Sequence, residues 1–194
     1  VWEPKTLDLV RSADVSGDIV HAGTFFGDFI PALARSREPG AIVWAFEPNR
    51  ENYRCASITI ELNDLENVVL THAGLSRRND TALLATSDRK GVALGGGSQL
   101  IDDPSSAEGL SNEQVNLVAI DEVVSGDRSV AVIQLDVEGH EQEALAGAMR
   151  TIERCRPLIV LETLPADSWV AEQLVPLGYR VAETIDANTV LRPS

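Results

Sequence analysis

Short apolar runs and stretches of helical periodicity alternate along the chain. Asp18-Ile19-Val20-His21-Ala22 is the first run, and it enters a turn that contains glycine. Phe26, Phe29, Ile30, Leu33 and Ala34 then recur at helical spacing. Pro31 suits the first turn of that helix, where a missing N–H costs little. Ala41–Phe46 reads as a buried strand, and Asn49 is placed to cap a helix with Tyr53, Ala56 and Ile60 facing inward. Val68–His72, Ser129–Leu135 and Leu158–Leu161 predict three more strands. Leu145, Ala148, Met149 and Ile152 stripe one helix between the last two. Shorter strand candidates lie around Tyr179–Val181 and Thr189–Leu191, and residues 1–17 are expected to form a helical lead-in.

Near-continuous apolar strands alternating with helices imply an α/β fold, with a parallel sheet covered on both faces. In such sheets ligands bind beyond the carboxyl ends of the strands, where the strand order switches. The residues just after each strand therefore carry the chemistry. Residues 77–114 read as irregular and hold Gly95-Gly96-Gly97 and Asp102-Asp103-Pro104, so they are expected to form a long loop or lid. With no internal repeat or linker, the 194 residues are expected to form a single domain.

Composition narrows the function. The formal net charge is −14, from 30 acidic and 16 basic residues. Arg77-Arg78 and Arg89-Lys90 are short basic pairs, and no longer cationic run occurs. Such a surface repels phosphate backbones, so no nucleic-acid partner is expected. No apolar run approaches the length of a membrane span, and no signal-peptide pattern opens the chain. Residue 1 is Val, so the natural start is expected to lie upstream. Cys55 and Cys155 are isolated thiols without metal-ligand spacing, which points to a reduced, cytoplasmic setting.

After the first strand the chain reads His21-Ala22-Gly23-Thr24-Phe25-Phe26-Gly27. Glycine permits a sharp turn and close approach of a ligand. The second strand ends in Phe46-Glu47-Pro48, with Glu47 twenty residues beyond Gly27. A carboxylate there can accept both hydrogen bonds of a ribose diol. As an acid in a strand-end loop, Glu47 is expected to matter little for stability. A dinucleotide needs bare backbone N–H groups for its pyrophosphate. Thr24, Phe25 and Phe26 crowd that position, and no cation assists. An adenosine cofactor without phosphates, such as S-adenosylmethionine, fits better.

Gln134-Leu135-Asp136-Val137-Glu138-Gly139-His140-Glu141 follows the fourth strand. Acids at a helix start are favoured by the helix dipole, which accounts for Glu141 and Glu143. It does not account for Asp136 or His140. A histidine there tends to stay neutral, the state a general base requires.

Taken together, His21–Gly27 (HAGTFFG), Ala45–Pro48 (AFEP), Leu135–Glu141 (LDVEGHE) and Arg156–Glu162 (RPLIVLE) resemble the FkbM-type methyltransferase family over roughly Asp18–Leu164. The resemblance implies a Rossmann-like class I methyltransferase fold with a mostly parallel seven-stranded sheet and helices on both faces. It implies S-adenosylmethionine as cofactor and O-methyl transfer to a hydroxyl of a small molecule, sugar or natural product. By position, His21, Ala22, Gly23, Thr24 and Gly27 become the cofactor loop, Glu47 and Pro48 the ribose side, and Gly74 and Leu75, within Ala73–Ser76, the adenine side. Asp136 to Glu141 faces the methyl group, with His140 as base, Asp136 aligning cofactor or acceptor, and Glu138 as orienter. Metal-free chemistry is the first expectation. The alternative is Mg²⁺ held by Asp136, Glu138 and Glu162. The family usually has an acid where this chain has His21, and a protonated His21 would repel the cofactor's ammonium. Two competing readings are a non-catalytic module that kept the fold and, more remotely, an NAD-type oxidoreductase.

Overall fold

A computed structural model describes residues 3–13, 15–101 and 107–194. In chain order the strands are β1 (Asp18–Ala22), β2 (Val43–Phe46), β3 (Val68–Thr71), β4 (Gly74–Leu75), β5 (Asp80–Ala85), β6 (Gln99–Ile101), β7 (Asn112–Val118), β8 (Val130–Leu135), β9 (Leu158–Leu161), β10 (Tyr179–Ile185) and β11 (Asn188–Pro193). The helices are α1 (Pro4–Arg11), α2 (Ile30–Arg35), α3 (Arg50–Leu62), α4 (Ile120–Val123), α5 (Glu141–Ala146), α6 (Met149–Cys155) and α7 (Asp167–Trp169). The last continues through a π turn and a 3₁₀ turn to Leu177.

Seven strands form one sheet in the order β10-β11-β9-β8-β1-β2-β3. Its pairings are parallel except where β11 runs against β9 and β10. The order reverses between β1 and β8, so a crevice opens at their carboxyl ends. On one face Ile133 and Leu135 of β8 pack with Leu145, Ala148 and Ile152. On the other, Val132 joins Leu7, Val10 and Leu33 from α1 and α2. Each such side chain contributes roughly 1.5–3 kcal/mol on burial. The mostly parallel sheet with helices on both faces is as expected. Asn49 caps α3 by accepting from the N–H groups of Glu51 and Asn52, and Pro31 sits in the first turn of α2.

Three local expectations change. Residues 77–114 are not irregular: β5, β6 and the start of β7 run through them, and with β4 they form a second sheet, β4-β7-β5-β6. Asp102-Asp103-Pro104 lies outside the described residues. This sheet is partly exposed. In β7, Val115 and Leu117 are buried while Asn112, Gln114 and Asn116 are exposed. Its strands therefore lack the continuous apolar runs of the central sheet.

Phe26 is not part of a helical stripe. The chain stays in a loop until Ile30, and Phe25 and Phe26 face outward. The stripe Leu145–Ile152 spans two helices, broken at Gly147-Ala148. A Cβ on Gly147 would lie 2.1 Å from the Ser76 carbonyl oxygen, so glycine lets the chain press against the end of β4.

Candidate active site

The ends of β1, β2 and β8 are laced together by backbone hydrogen bonds. Gly23 N–H donates to Phe46 O at 3.2 Å, and Asp136 N–H donates to Ala22 O at 3.1 Å. Gly23 has φ +78, and a Cβ there would lie 1.7 Å from Asp136 O. No other residue type fits that approach. The Thr24 hydroxyl, buried in the turn, donates to Phe46 O at 3.2 Å. Gly27 closes the turn against Ala56 of α3.

Glu47 follows β2 and is only 4% exposed. Its Oε2 accepts from Phe25 N–H at 2.8 Å and its Oε1 from Asn49 N–H at 2.9 Å. Burial pushes its carboxyl up to about 7, against the pull of those bonds. The expectation of a loop acid that matters little for stability is thereby corrected. Glu47 pins the glycine turn to the start of α3.

His21 and Gln134 are register partners on β1 and β8, which sets their side chains side by side on one face of the sheet. Nδ1 of His21 meets Oε1 of Gln134, and the ring stacks on Phe29 with centroids 5.7 Å apart. Burial pushes the imidazole's pKa down, so it is neutral. Nδ1 then carries the proton it donates to Gln134, and Nε2 holds a bare lone pair without a hydrogen-bond partner.

Two cavities meet here. The narrow one, of about 40 Å³, lies between Glu47, Pro48 and Ala73-Gly74-Leu75 on one side and Leu84, Gly96, Ser98 and Leu100 on the other. The wide one, of about 630 Å³, is lined by Glu3, His21, Asp28, Gln134, Asp136, Glu138 and Glu162, with Phe25, Phe26 and Phe29. Gly23, Gly96, Asp136 and Glu138 line both. Asp136 is pushed up to about 8 by burial and by Glu162, with which it shares a hydrogen bond. Glu162 follows β9, beside β8 as expected, and its N–H donates to Leu135 O at 3.1 Å. One oxygen from each of Asp136, Glu138 and Glu162 lies within 4.8 Å of the other two.

His140 sits elsewhere. It lines the narrow cavity and the neighbouring hollow against Leu83, Leu100 and Leu117, and is not among the residues around the wide cleft. Glu141, which the helix dipole seemed to explain, is 1% exposed, and its Oε1 accepts from Val137 N–H at 3.2 Å.

The sequence reading missed Glu3, Asp28 and Gln134. Gln134 had a signal, being a polar residue inside the buried run of β8 that pairs with the polar His21 of β1. Part of the lid expected within residues 77–114 is a strap across the narrow cavity. There the Asn52 amide donates to Gly95 O at 3.1 Å, the Asn49 amide to Ser98 Oγ at 3.1 Å, and the Gln99 amide to Glu138 Oε2 at 3.4 Å.

Comparison with known proteins agrees with this arrangement. The Methyltransferase FkbM domain family matches residues 21–177. No curated protein matches. Methyltransferase FkbM from Methylobacillus flagellatus KT superposes with a TM-score of 0.62 at 17% identity, over 95% of this chain and 47% of that one. This chain thus spans about half the length of that protein. A SAM-dependent O-methyltransferase from Thermotoga maritima gives 0.54 at 13% identity, over 100% of this chain and 67% of that one. An rRNA methylase from Streptococcus thermophilus gives 0.52 at 14% identity, over 97% of this chain and 94% of that one. The fold is that of the class I S-adenosylmethionine-dependent methyltransferases, and the chain belongs to the FkbM methyltransferase family.

Proposed function

We propose that this chain transfers a methyl group from S-adenosylmethionine to a hydroxyl of a small molecule or sugar. The observation that carries this reading is the meeting of a nucleoside-side cavity and an acidic cleft at Asp136 and Glu138, beyond the ends of β1, β2 and β8.

The residues fit the cofactor. Glu47 uses one strong hydrogen bond on each oxygen, which leaves lone pairs for a ribose diol. Pro48, Gly74 and Leu75 offer flat apolar walls for adenine. The neutral His21 does not repel the methionine ammonium, which weakens one argument for a non-catalytic module. Among the described residues around both cavities there is no lysine or arginine to meet a diphosphate, which speaks against NAD. Ligand pockets usually reach about 300 Å³ or more. The narrow cavity is far smaller, so the strap over residues 95–100, held by the three side-chain bonds above, withdraws to admit the nucleoside.

S-adenosylmethionine supplies a methyl carbon on a sulfonium, open to in-line displacement. Bound here, it would give up its methyl carbon from the sulfonium to the acceptor oxygen, and the chain would have to take up the hydroxyl proton. Most of the rate comes from holding the oxygen about 3 Å from that carbon. The sequence reading made His140 the base, but its place on the nucleoside side fits a wall of the cofactor cavity. Asp136, Glu138 and Glu162 line the cleft where an acceptor enters, and they receive its proton. A net charge of −14 and the acids of this cleft disfavour phosphate-bearing acceptors, RNA among them.

A screen of hydroxylated metabolites and sugars for uptake of labelled methyl tests the reading. Transfer to a neutral or cationic alcohol is expected. Transfer to RNA alone would overturn the acceptor class.

A further inference from the structure

Five carboxylates, Glu3, Asp28, Asp136, Glu138 and Glu162, line the wide cleft, with no lysine or arginine among its described lining residues. The cofactor of the proposed function brings a sulfonium, an ammonium and a carboxylate, one net positive charge. Most of the cleft's negative charge then stays unanswered, and partly buried charge is costly unless paired.

Three of the acids converge. Asp136 lies just beyond β8 and Glu162 just beyond β9. Glu138 sits in the left-handed region at φ 55. One oxygen from each lies within 4.8 Å of the other two. Hard divalent cations bind oxygen at roughly 2.0–2.6 Å, so ligands across such an ion stand about 4–5 Å apart. The three oxygens are thus close enough for one ion to draw them together.

A second observation is independent of the acids. His21 is 3% exposed and lines the same cleft, and its Nε2 lone pair has no hydrogen-bond partner. That lone pair needs a donor, which ionised carboxylates cannot supply. Mg²⁺ keeps several of its waters when bound, and a metal-bound water is such a donor.

We infer that Asp136, Glu138 and Glu162 hold one hard divalent cation, Mg²⁺ or Mn²⁺, with a water of its shell reaching His21. An all-carboxylate donor set favours these ions over softer metals. The site stands on the cleft itself; only its use rests on the proposed function. There the ion would supply Lewis-acid polarisation of the acceptor hydroxyl, with Asp136, Glu138 and Glu162 as the residues that would hold it.

The test is a Mn²⁺ titration of the chelator-treated full chain, with free Mn²⁺ read by electron paramagnetic resonance. S-adenosylhomocysteine calorimetry is run on the same samples. One saturable site per chain is expected, displaced by Mg²⁺ and weakened at least about tenfold in Glu162→Gln and in Glu138→Gln. Absence of saturable uptake, or uptake by both variants as tight as by the unmodified chain, overturns the site. If S-adenosylhomocysteine binds while Mn²⁺ does not, the metal site fails and the methyltransferase reading stands. If Mn²⁺ binds and S-adenosylhomocysteine does not, the site stands and its use in methyl transfer fails.

Discussion

Phe25 N–H donates to Glu47 Oε2 at 2.8 Å, tying the turn after β1 to the acid after β2. Phe25 holds φ 52, a left-handed conformation unusual for an aromatic residue. The bond fixes the carboxylate that the proposed function assigns to a ribose and makes Glu47 part of the fold. Glu47→Ala leaves the buried N–H groups of Phe25 and Asn49 without this acceptor. Stability should fall by about 1–3 kcal/mol, read by urea unfolding. Affinity for S-adenosylhomocysteine should fall about 10- to 150-fold by calorimetry, the equivalent of roughly 1.5–3 kcal/mol.

The raised carboxyl of Glu47 gives two pH signatures. Its folded value, about 7, lies above the unfolded value near 4.5, so the folded chain holds the proton more tightly. This group's contribution to stability is fully present below about 4.5 and is lost as the pH rises through about 7. The cofactor's diol needs the ionised form, so affinity should drop about tenfold for each pH unit below about 7. In Glu47→Gln both effects should vanish. A slope that survives in Glu47→Gln assigns the titration to another group.

His21 should not contribute to that slope. Burial pushes its pKa down from the ordinary histidine value. Its ring carbons should titrate by NMR at lower pH than those of a solvent-exposed histidine. His21→Asp, which restores the acid usual in the family, should bind S-adenosylhomocysteine at least as tightly. It should lose stability, because the stack on Phe29 and the bond to Gln134 go with the ring.

Gly23→Ala should cost roughly 1–3 kcal/mol, since the added methyl meets the Asp136 carbonyl. Gly126→Ala is the control, because a Cβ there meets nothing within 4 Å. Equal stability of the two variants would show that the strand ends are looser than described.

Asp136→Asn should cut turnover by about 10²–10⁴-fold, the usual loss when a proton acceptor is removed. His140→Ala should act mainly on cofactor affinity, with a smaller loss of turnover. Single-turnover measurements with a true acceptor separate the two effects.

The central strands β1, β8 and β9 were legible because they are buried on both faces and read as apolar runs, as Ile159-Val160-Leu161 does. The second sheet was hidden because β7 alternates Val115 and Leu117 with exposed polar residues, a weaker signal within a stretch rich in glycine and serine. Asp136, Glu138 and Glu162 were legible as acids just past strands. Their convergence followed from the family fold, which sets the strand before Glu162 beside the strand before Asp136; the left-handed turn at Glu138 that completes it was not legible. The placement of His140 was not legible either. It is close to Asp136 in sequence, but the turn at Glu138-Gly139 sends it toward the second sheet. Glu47 was found by its spacing, while its burial came from contacts with Phe25 and Asn49 that spacing does not encode.

Calorimetry of the purified chain with S-adenosylhomocysteine and, separately, with NAD tests the central claim most directly. The account predicts saturable one-to-one binding of S-adenosylhomocysteine, weakened at least about tenfold by Glu47→Ala, and no binding of NAD. Binding of NAD without S-adenosylhomocysteine, or S-adenosylhomocysteine affinity indifferent to Glu47, would contradict it.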